Sequence, residues 1–103
     1  MTNTTKTSWT LEALRMRRND IITLANQHGA GNVRVFGSVA RGEATSDSDV
    51  DLLVTAKPGT TVFDLVGLWQ EMQNLLGCNV SLVSDGIEDE RFLRRIARDL
   101  VAL

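Results

Sequence analysis

The sequence predicts an α/β (α+β) domain in which helices pack on a small mixed sheet of three to four strands. Two observations carry this prediction. Apolar residues recur at helical spacing in several stretches, and short apolar or alternating runs typical of strands lie between them. A chain of 103 residues can bury one hydrophobic core. We therefore expect residues 9–103 to form a single domain, and the polar, threonine-rich residues 1–8 to form a flexible N-terminus.

The first half of the chain is predicted to form a helix, a strand and a short helix. Residues 10–28 place their apolar side chains on one stripe, which predicts an amphipathic helix that ends at Gly29. His28, at the end of that helix, is expected to cap its last carbonyls. Residues 32–36 alternate and predict the first strand, and residues 39–42 predict the start of a short helix.

The second half is predicted to contain two strands and two helices. Residues 50–54 form the second strand and residues 79–83 the third, and the helix between them ends at Gly77. The last helix is expected to begin near Ile87. Its acidic residues come first and its arginines later, which complements the helix dipole, although an arginine-rich face could also dock a partner protein.

The most informative stretch is residues 37–54, GSVARGEATSDSDVDLLV. A glycine followed by a small hydroxyl residue, where a strand becomes a helix, lets backbone N–H groups approach a phosphate. Asp49 and Asp51 are one residue apart, so they would point to one face of a strand and could hold the metal ion that the phosphate requires. This stretch therefore predicts a nucleoside triphosphate site.

The same stretch resembles the minimal nucleotidyltransferase (MNT) domain of the DNA polymerase beta-like superfamily, whose pattern is GSxARG, a spacer, and SDxDL. Ten residues separate Ser38 from Asp49, as in that family. Both halves of the pattern are present, and they consist of Gly37, Ser38, Arg41, Gly42, Ser48, Asp49, Asp51 and Leu52. The resemblance extends from roughly residue 14 to residue 103.

This resemblance implies a nucleotidyltransferase fold and a set of site residues. Asp49 and Asp51 would be catalytic and would bind Mg²⁺, with ATP as the substrate. The nucleotide would be bound by Gly37, Ser38, Arg41 and Ser48. For Arg41, a structural ion pair with Glu43 or Asp47 is an alternative role. The implied partner is a HEPN-type toxin, to which the chain would transfer AMP as an antitoxin, in a hetero-oligomer with it.

The third strand departs from the family pattern. Related proteins carry another aspartate there, whereas this chain has Ser81. A serine hydroxyl brings no charge and cannot act as a general base near neutral pH. Either activity is reduced or another acid substitutes, the candidates being Asp85, Glu43 and Asp47. A second function is therefore open: a catalytically impaired nucleotide-binding module that neutralises the toxin by binding it.

Composition excludes other functions. The net charge is −2 and no basic run is interleaved with aromatic residues, so direct nucleic-acid binding is not expected. Glu43 replaces the lysine of a P-loop, and Leu52 replaces the glycine of an EF-hand loop. The single cysteine, Cys78, is expected to be a buried structural thiol. Without an apolar signal region or a long apolar run, we expect a cytoplasmic protein that does not enter the membrane.

Overall fold

A computed structural model of the chain describes residues 8–86 and 89–103, and in them the chain forms five helices and four strands. Their order is α1 (Leu11–Met16), α2 (Arg18–Gln27), β1 (Ala30–Phe36), α3 (Gly37–Arg41), β2 (Val50–Ala56), α4 (Val62–Leu76), β3 (Val80–Ser84), α5 (Glu90–Ala97) and β4 (Val101–Ala102). Within this described part, each helix is too short or too polar to cross a lipid bilayer.

The four strands form one mixed sheet in the order β3-β2-β1-β4. β1 is antiparallel to both β2 and β4, whereas β2 and β3 are parallel and are connected through α4. The predicted α/β class and mixed sheet are confirmed. β4 was not predicted, because two residues give no periodic pattern; its pairing with β1 depends on distant contacts.

The N-terminal helix prediction was wrong in one respect. The single helix predicted over residues 10–28 is divided at Arg17, which has φ −102° and ψ 14° and makes no side-chain capping bond. No glycine or proline marks this break in the sequence. α1 is instead held by distant contacts, since Arg15 donates hydrogen bonds to the carbonyls of Ala102 and Leu103.

Two further predictions concern helix ends. His28 is the C-cap residue of α2, as predicted, and its backbone N–H donates to the Ala25 carbonyl at 3.0 Å. Its side chain contacts α4, where Nε2 lies 2.5 Å from a carboxylate oxygen of Glu71. The predicted start of the last helix, Ile87, lies outside the described residues. In the described part, α5 is capped by Asp89, whose side chain accepts a hydrogen bond from the Phe92 N–H at 2.8 Å. Of the predicted N-terminal segment, the structure describes only Ser8.

The two faces of the sheet bury different clusters. α1, α2 and α4 cover one face, where Leu14, Ile21, Leu52, Leu68 and Met72 are fully buried. On the opposite face, Phe36 and Leu53 pack against Ile96 of α5. We call this second face the α5 face.

Candidate active site

Asp49 and Asp51 lie at the start of β2. Asp49 immediately precedes the strand and Asp51 is its second residue, paired with Phe36 on β1 and with Ser81 on β3. Because side chains alternate along a strand, Asp51 shares the α5 face with Phe36, Leu53 and Ser81. The position that carries a third carboxylate in the similar family is therefore directly beside Asp51.

Gly37 allows the turn from β1 into α3 to pass close to Asp51. Its φ is +72°, and a Cβ atom built there would lie only 2.1 Å from Asp51 Oδ2. Any other residue would therefore be strained and would collide with the carboxylate. The glycine of the GSVARG motif therefore lets the first turn of α3, which contains Ser38, lie against the carboxylate of Asp51.

α3 is a short helix that is fixed at both ends. Val39 is buried in the core, and Gly42 ends the helix with φ +75°. The Glu43 N–H donates to the Ser38 carbonyl at 2.9 Å, which closes the turn after the helix. These contacts hold Ser38 at the beginning of α3, next to Gly37.

Arg41 is held by two carboxylates. Its guanidinium donates to Glu43 Oε1 and to Asp99 Oδ2, both at 2.9 Å. These bonds, above all the one to Glu43, raise the pKa of Arg41 above its usual value. The pairing with Glu43 was one of the alternatives that the sequence left open. Asp99 follows α5 and gave no sequence signal, because it is 58 residues away from Arg41.

The loop before Asp49 is stabilised by Ser48. The Thr45 N–H donates to Ser48 Oγ at 2.9 Å, and the Ser48 N–H donates back to the Thr45 carbonyl at 3.0 Å. Ser48 thus fixes the path of the chain into β2. Its predicted contact with a nucleotide stays a prediction.

Two clefts of about 350 Å³ each adjoin this loop. The polar one contains Asp49 together with Asp47, Ser46, Ser48 and the 77–79 segment. The other extends from Ser46 and Ser48 to Trp9 and Ala13. Sequence reasoning missed the 77–79 segment as part of the site, since only the parallel pairing of β2 with β3 brings it there. Cys78 lines both clefts, and its partial burial raises the pKa of its thiol, which opposes a reactive thiolate.

The charge at the site is not balanced by neighbouring cations. Burial raises the pKa of Asp51, the adjacent charge of Asp49 raises it further, and Arg41 only partly opposes them. In residues 8–86 and 89–103, no side chain donates a hydrogen bond to either aspartate. Carboxylate oxygens are the ligands that Mg²⁺ prefers, and it is often held by one or two carboxylates plus substrate phosphates. The donor set at Asp49 and Asp51 therefore fits such an ion.

Among the carboxylates of residues 8–86 and 89–103, none joins Asp49 and Asp51 as a third acid of this pair. Asp85 follows β3, four residues beyond Ser81 and therefore about 13 Å along the strand direction. It accepts hydrogen bonds from Arg34 and Thr55 instead. Glu43 is bound to Arg41, and Asp47 only shares the polar cleft with Asp49. Among the residues that the structure describes, no cluster of three acidic, histidine or cysteine side chains has the arrangement of a metal site.

Comparisons with known proteins identify the family to which this fold belongs. Residues 20–101 match the family model of the nucleotidyltransferase domain. The chain is 33% identical over 78 residues to the protein adenylyltransferase MntA of Thermococcus cleftensis, covering 76% of this chain and 79% of that protein. It is also similar to a solved structure provisionally named a minimal nucleotidyltransferase, with 44% identity, a TM-score of 0.80, and coverage of 92% of this chain and 97% of that one.

More distant structures share the fold. A toxin-antitoxin complex with AMP-PNP contains a chain that is 22% identical, with a TM-score of 0.72 and coverage of 82% of this chain and 69% of that one. A complex of a tri-AMPylated HEPN toxin of Shewanella oneidensis with its MNT antitoxin gives 19% identity, a TM-score of 0.66, and coverage of 85% and 69%. The family match extends across β1 to β4 and includes the Gly37 turn and both aspartates. The chain therefore belongs to the nucleotidyltransferase domain family.

Proposed function

We propose that this protein is an antitoxin that transfers AMP from ATP to a partner HEPN toxin, with Asp49 and Asp51 as its catalytic residues. The observation that carries the proposal is the juxtaposition of Asp51 with the Gly37 turn. It puts the carboxylate of Asp51, two residues after Asp49, next to the backbone that would receive phosphates. The named activity of the Thermococcus cleftensis relative supports AMP transfer, and the fold shared with antitoxin chains supports the partner. A cytoplasmic location stays a prediction.

In the proposed reaction, a hydroxyl of the partner attacks the α-phosphorus of ATP and pyrophosphate leaves. Gly37 and Ser38 would orient the phosphates through the turn into α3. Arg41, whose guanidinium is paired with Glu43 and Asp99, would contribute its positive charge to phosphate binding. Ser48 would keep the approach to Asp49 in place. Asp49 and Asp51 would bind Mg²⁺, which when bound supplies Lewis-acid stabilisation of the charge on phosphate oxygens.

Ser81 favours a second candidate function. It occupies the position beside Asp51 without contributing a charge, and the described residues supply no other acid there. A site of this kind could bind Mg²⁺ and ATP while the acceptor hydroxyl lacks a base. The protein would then neutralise the toxin by binding it, and AMP transfer would be slow or absent.

The test is transfer of label from ATP in the presence of Mg²⁺. The protein should be co-expressed with the product of its neighbouring gene, purified as a complex, and incubated with ATP labelled at the α-phosphate. The proposal expects label on the partner. This chain contains no tyrosine, so any tyrosine-linked AMP must lie on the other protein. A stable complex that remains unlabelled would favour the binding module, and label confined to serine or threonine of this chain would contradict the antitoxin proposal.

A further inference from the structure

Asp99 connects the end of α5 to α3, the short helix of the candidate active site. Its backbone N–H donates to the Ile96 carbonyl at 3.0 Å, which ties it to the last turn of α5. Ile96 is buried with Phe36 and Leu53 on the α5 face. From Asp99 the chain continues into β4, which pairs with β1. Asp99 is therefore held in place by elements other than α3.

Arg41 is the residue of α3 that Asp99 binds. The two carboxylate partners of Arg41 use two of its three nitrogens, since Nε donates to Glu43 Oε1 and Nη1 donates to Asp99 Oδ2, both at 2.9 Å. Within residues 8–86 and 89–103, Nη2 donates to no acceptor. A guanidinium carries its five N–H groups in one rigid plane. Once two nitrogens are fixed, the direction of the third is fixed as well.

The two carboxylates restrain Arg41 in different ways. Glu43 is two residues away in the chain, and its side chain is 67% exposed. Asp99 is 58 residues away, and its side chain is only 20% exposed. Glu43 follows the same short helix and moves with it, whereas Asp99 belongs to a packed helix end on the sheet. Asp99 therefore determines where the guanidinium of Arg41 lies relative to the strands.

Helical spacing places Arg41 on the side of α3 that faces Asp51. Arg41 follows Gly37 by four residues, or about one helical turn, and Gly37 closely approaches the Asp51 carboxylate. Side chains of a helix lean toward its N-terminal end, so the side chain of Arg41 leans toward the Gly37 turn. The charge of Arg41 lowers the pKa of Asp51, against the larger effects of burial and Asp49, which agrees with this position.

We propose that Asp99 is a positioning residue of the nucleotide site, which holds Nη1 of Arg41 so that Nη2 is ready to donate to a phosphate oxygen of ATP. This inference rests on the proposed function, because it requires ATP to bind at the Gly37 turn. A long side chain that is already ordered loses less conformational entropy when a ligand binds. Asp99 therefore strengthens ATP binding without touching the nucleotide.

The charge of Asp99 has the opposite effect on ATP binding, and this separates two roles. If Asp99 only neutralised Arg41, its removal would leave the site more positive, and ATP would bind more tightly. If Asp99 positions Arg41, its removal releases the guanidinium, and ATP binds more weakly. A purely structural role, in which Asp99 only fastens α5 to α3, would change the stability of the fold and leave the affinity for ATP unchanged.

Calorimetric titration of the full chain with ATP and Mg²⁺ tests the proposal. Asp99→Ala should raise the Kd for ATP about three- to tenfold, which corresponds to the cost of ordering one long side chain on binding. Asp99→Asn keeps an oxygen that accepts from Nη1, so its Kd should lie between those of the parent and Asp99→Ala. The matched control is Asp85→Ala, which removes an arginine-bound aspartate at the other end of β2 and β3. It should lower the stability and leave the Kd at the parental value.

A double-mutant cycle determines whether Asp99 acts through Arg41. Arg41→Met should raise the Kd, and Asp99→Ala should then add nothing in that background. The proposal is overturned if Asp99→Ala binds ATP as tightly as the parent or more tightly, or if its effect is the same with and without Arg41. If Asp99→Ala does not fold, Asp99→Asn decides, and a parental Kd in that variant overturns the proposal. A parent that binds no ATP would instead refute the proposed nucleotide site, and this inference with it.

Discussion

Asp51 and Asp85 lie near opposite ends of the paired strands β2 and β3. The surroundings of Asp85 stabilise its negative charge, whereas those of Asp51 destabilise it. Burial opposes ionisation of Asp85, but hydrogen bonds from Thr55 and Arg34, at 2.6 and 2.8 Å, outweigh it and hold the pKa of Asp85 below its usual value. At Asp51, burial and the charge of Asp49 raise the pKa. Arg34 neutralises one carboxylate, whereas Arg41 is committed to Glu43 and Asp99.

This difference indicates which carboxylates the fold needs and which it tolerates. An acid that is neutralised by neighbours on β1 and β2 contributes to stability. An acid whose charge is left without a protein partner is costly until a cation binds, and such perturbed groups concentrate at functional sites. Substitutions at one end of the paired strands at a time test this difference.

The largest effect is expected at Ser81. Ser81→Asp would restore the family carboxylate beside Asp51, and general-base assistance is typically worth about 10²- to 10⁴-fold. We expect AMP transfer to the partner to rise by about 10²-fold, measured as initial rates with saturating ATP. Ser81→Asn is the matched control, because it adds similar volume without a carboxylate and should give no rise. Rapid transfer by the parent with no gain in Ser81→Asp would show that two carboxylates suffice.

Alanine substitutions at two glycines with similar backbone angles distinguish the cost of backbone strain from the cost of a collision with Asp51. Gly37 and Gly42 have φ of +72° and +75°. A Cβ atom at Gly37 would collide with the Asp51 side chain, whereas a Cβ atom at Gly42 would meet no atom within 4 Å. Both alanine variants should lose about 1–2 kcal/mol of unfolding free energy from the left-handed backbone. Gly37→Ala should lose about 1 kcal/mol more from overpacking, and it should also lose the thermal shift that ATP with Mg²⁺ produces. Equal losses in urea unfolding would refute the close approach to Asp51.

At the other end, removing Arg34 should leave the Asp85 carboxylate partly buried and short of a partner. The two side chains are only 17% and 29% exposed, so solvent screens the pair weakly. We expect Arg34→Met to cost about 1–3 kcal/mol in urea unfolding. Adding Asp85→Asn should recover part of that loss. A double variant whose loss equals the sum of the single losses would mean that the pair is not coupled.

The smallest effect is expected in the pH dependence of the unfolding free energy, to which Asp51 and Asp85 contribute with opposite signs. The stability contributed by Asp85, whose folded pKa is lowered, is present above its unfolded pKa and is lost as pH falls through its folded pKa. Asp51 has a raised folded pKa, so its charge costs stability as pH rises through that range, and the cost disappears in acid. Asp51→Asn should therefore make the rise in stability between about pH 3 and 6 steeper, and Asp85→Asn should flatten it.

Local sequence signals predicted most of the secondary structure and the centre of the site. Gly77 closes α4 as predicted. Residues 39–42 were predicted to start a short helix, but α3 begins two residues earlier, at Gly37, and ends at Gly42. The one-residue spacing of Asp49 and Asp51 predicts their position at the start of β2, and the sequence of β3 has Ser81 where the similar family has an aspartate. These features depend on neighbours in the chain or on a repeating pattern.

The features that could not be predicted depend on distant contacts. The short strand β4 and the bond from Arg41 to Asp99 each join the C-terminus to the N-terminal half of the chain. The same is true of the bond from Arg15 to Leu103, which holds α1 just before the break at Arg17. Asp85 was a candidate substitute acid, although it lies four residues after Ser81 in the sequence and therefore beyond the predicted strand. The register of β3 and the bond from Arg34 place it at the other end of the paired strands.

The measurement that tests the central claim most directly is the thermal shift produced by ATP with Mg²⁺ in Asp51→Asn and in Asp85→Asn. A ligand that binds only the folded state stabilises it by mass action. The account predicts that Asp51→Asn is more stable than the parent without ligand and shows no shift, while Asp85→Asn is less stable without ligand and keeps the full shift of the parent. A shift of parental size in Asp51→Asn, or its loss in Asp85→Asn, would contradict the assignment of the nucleotide site to the Asp51 end of the strands.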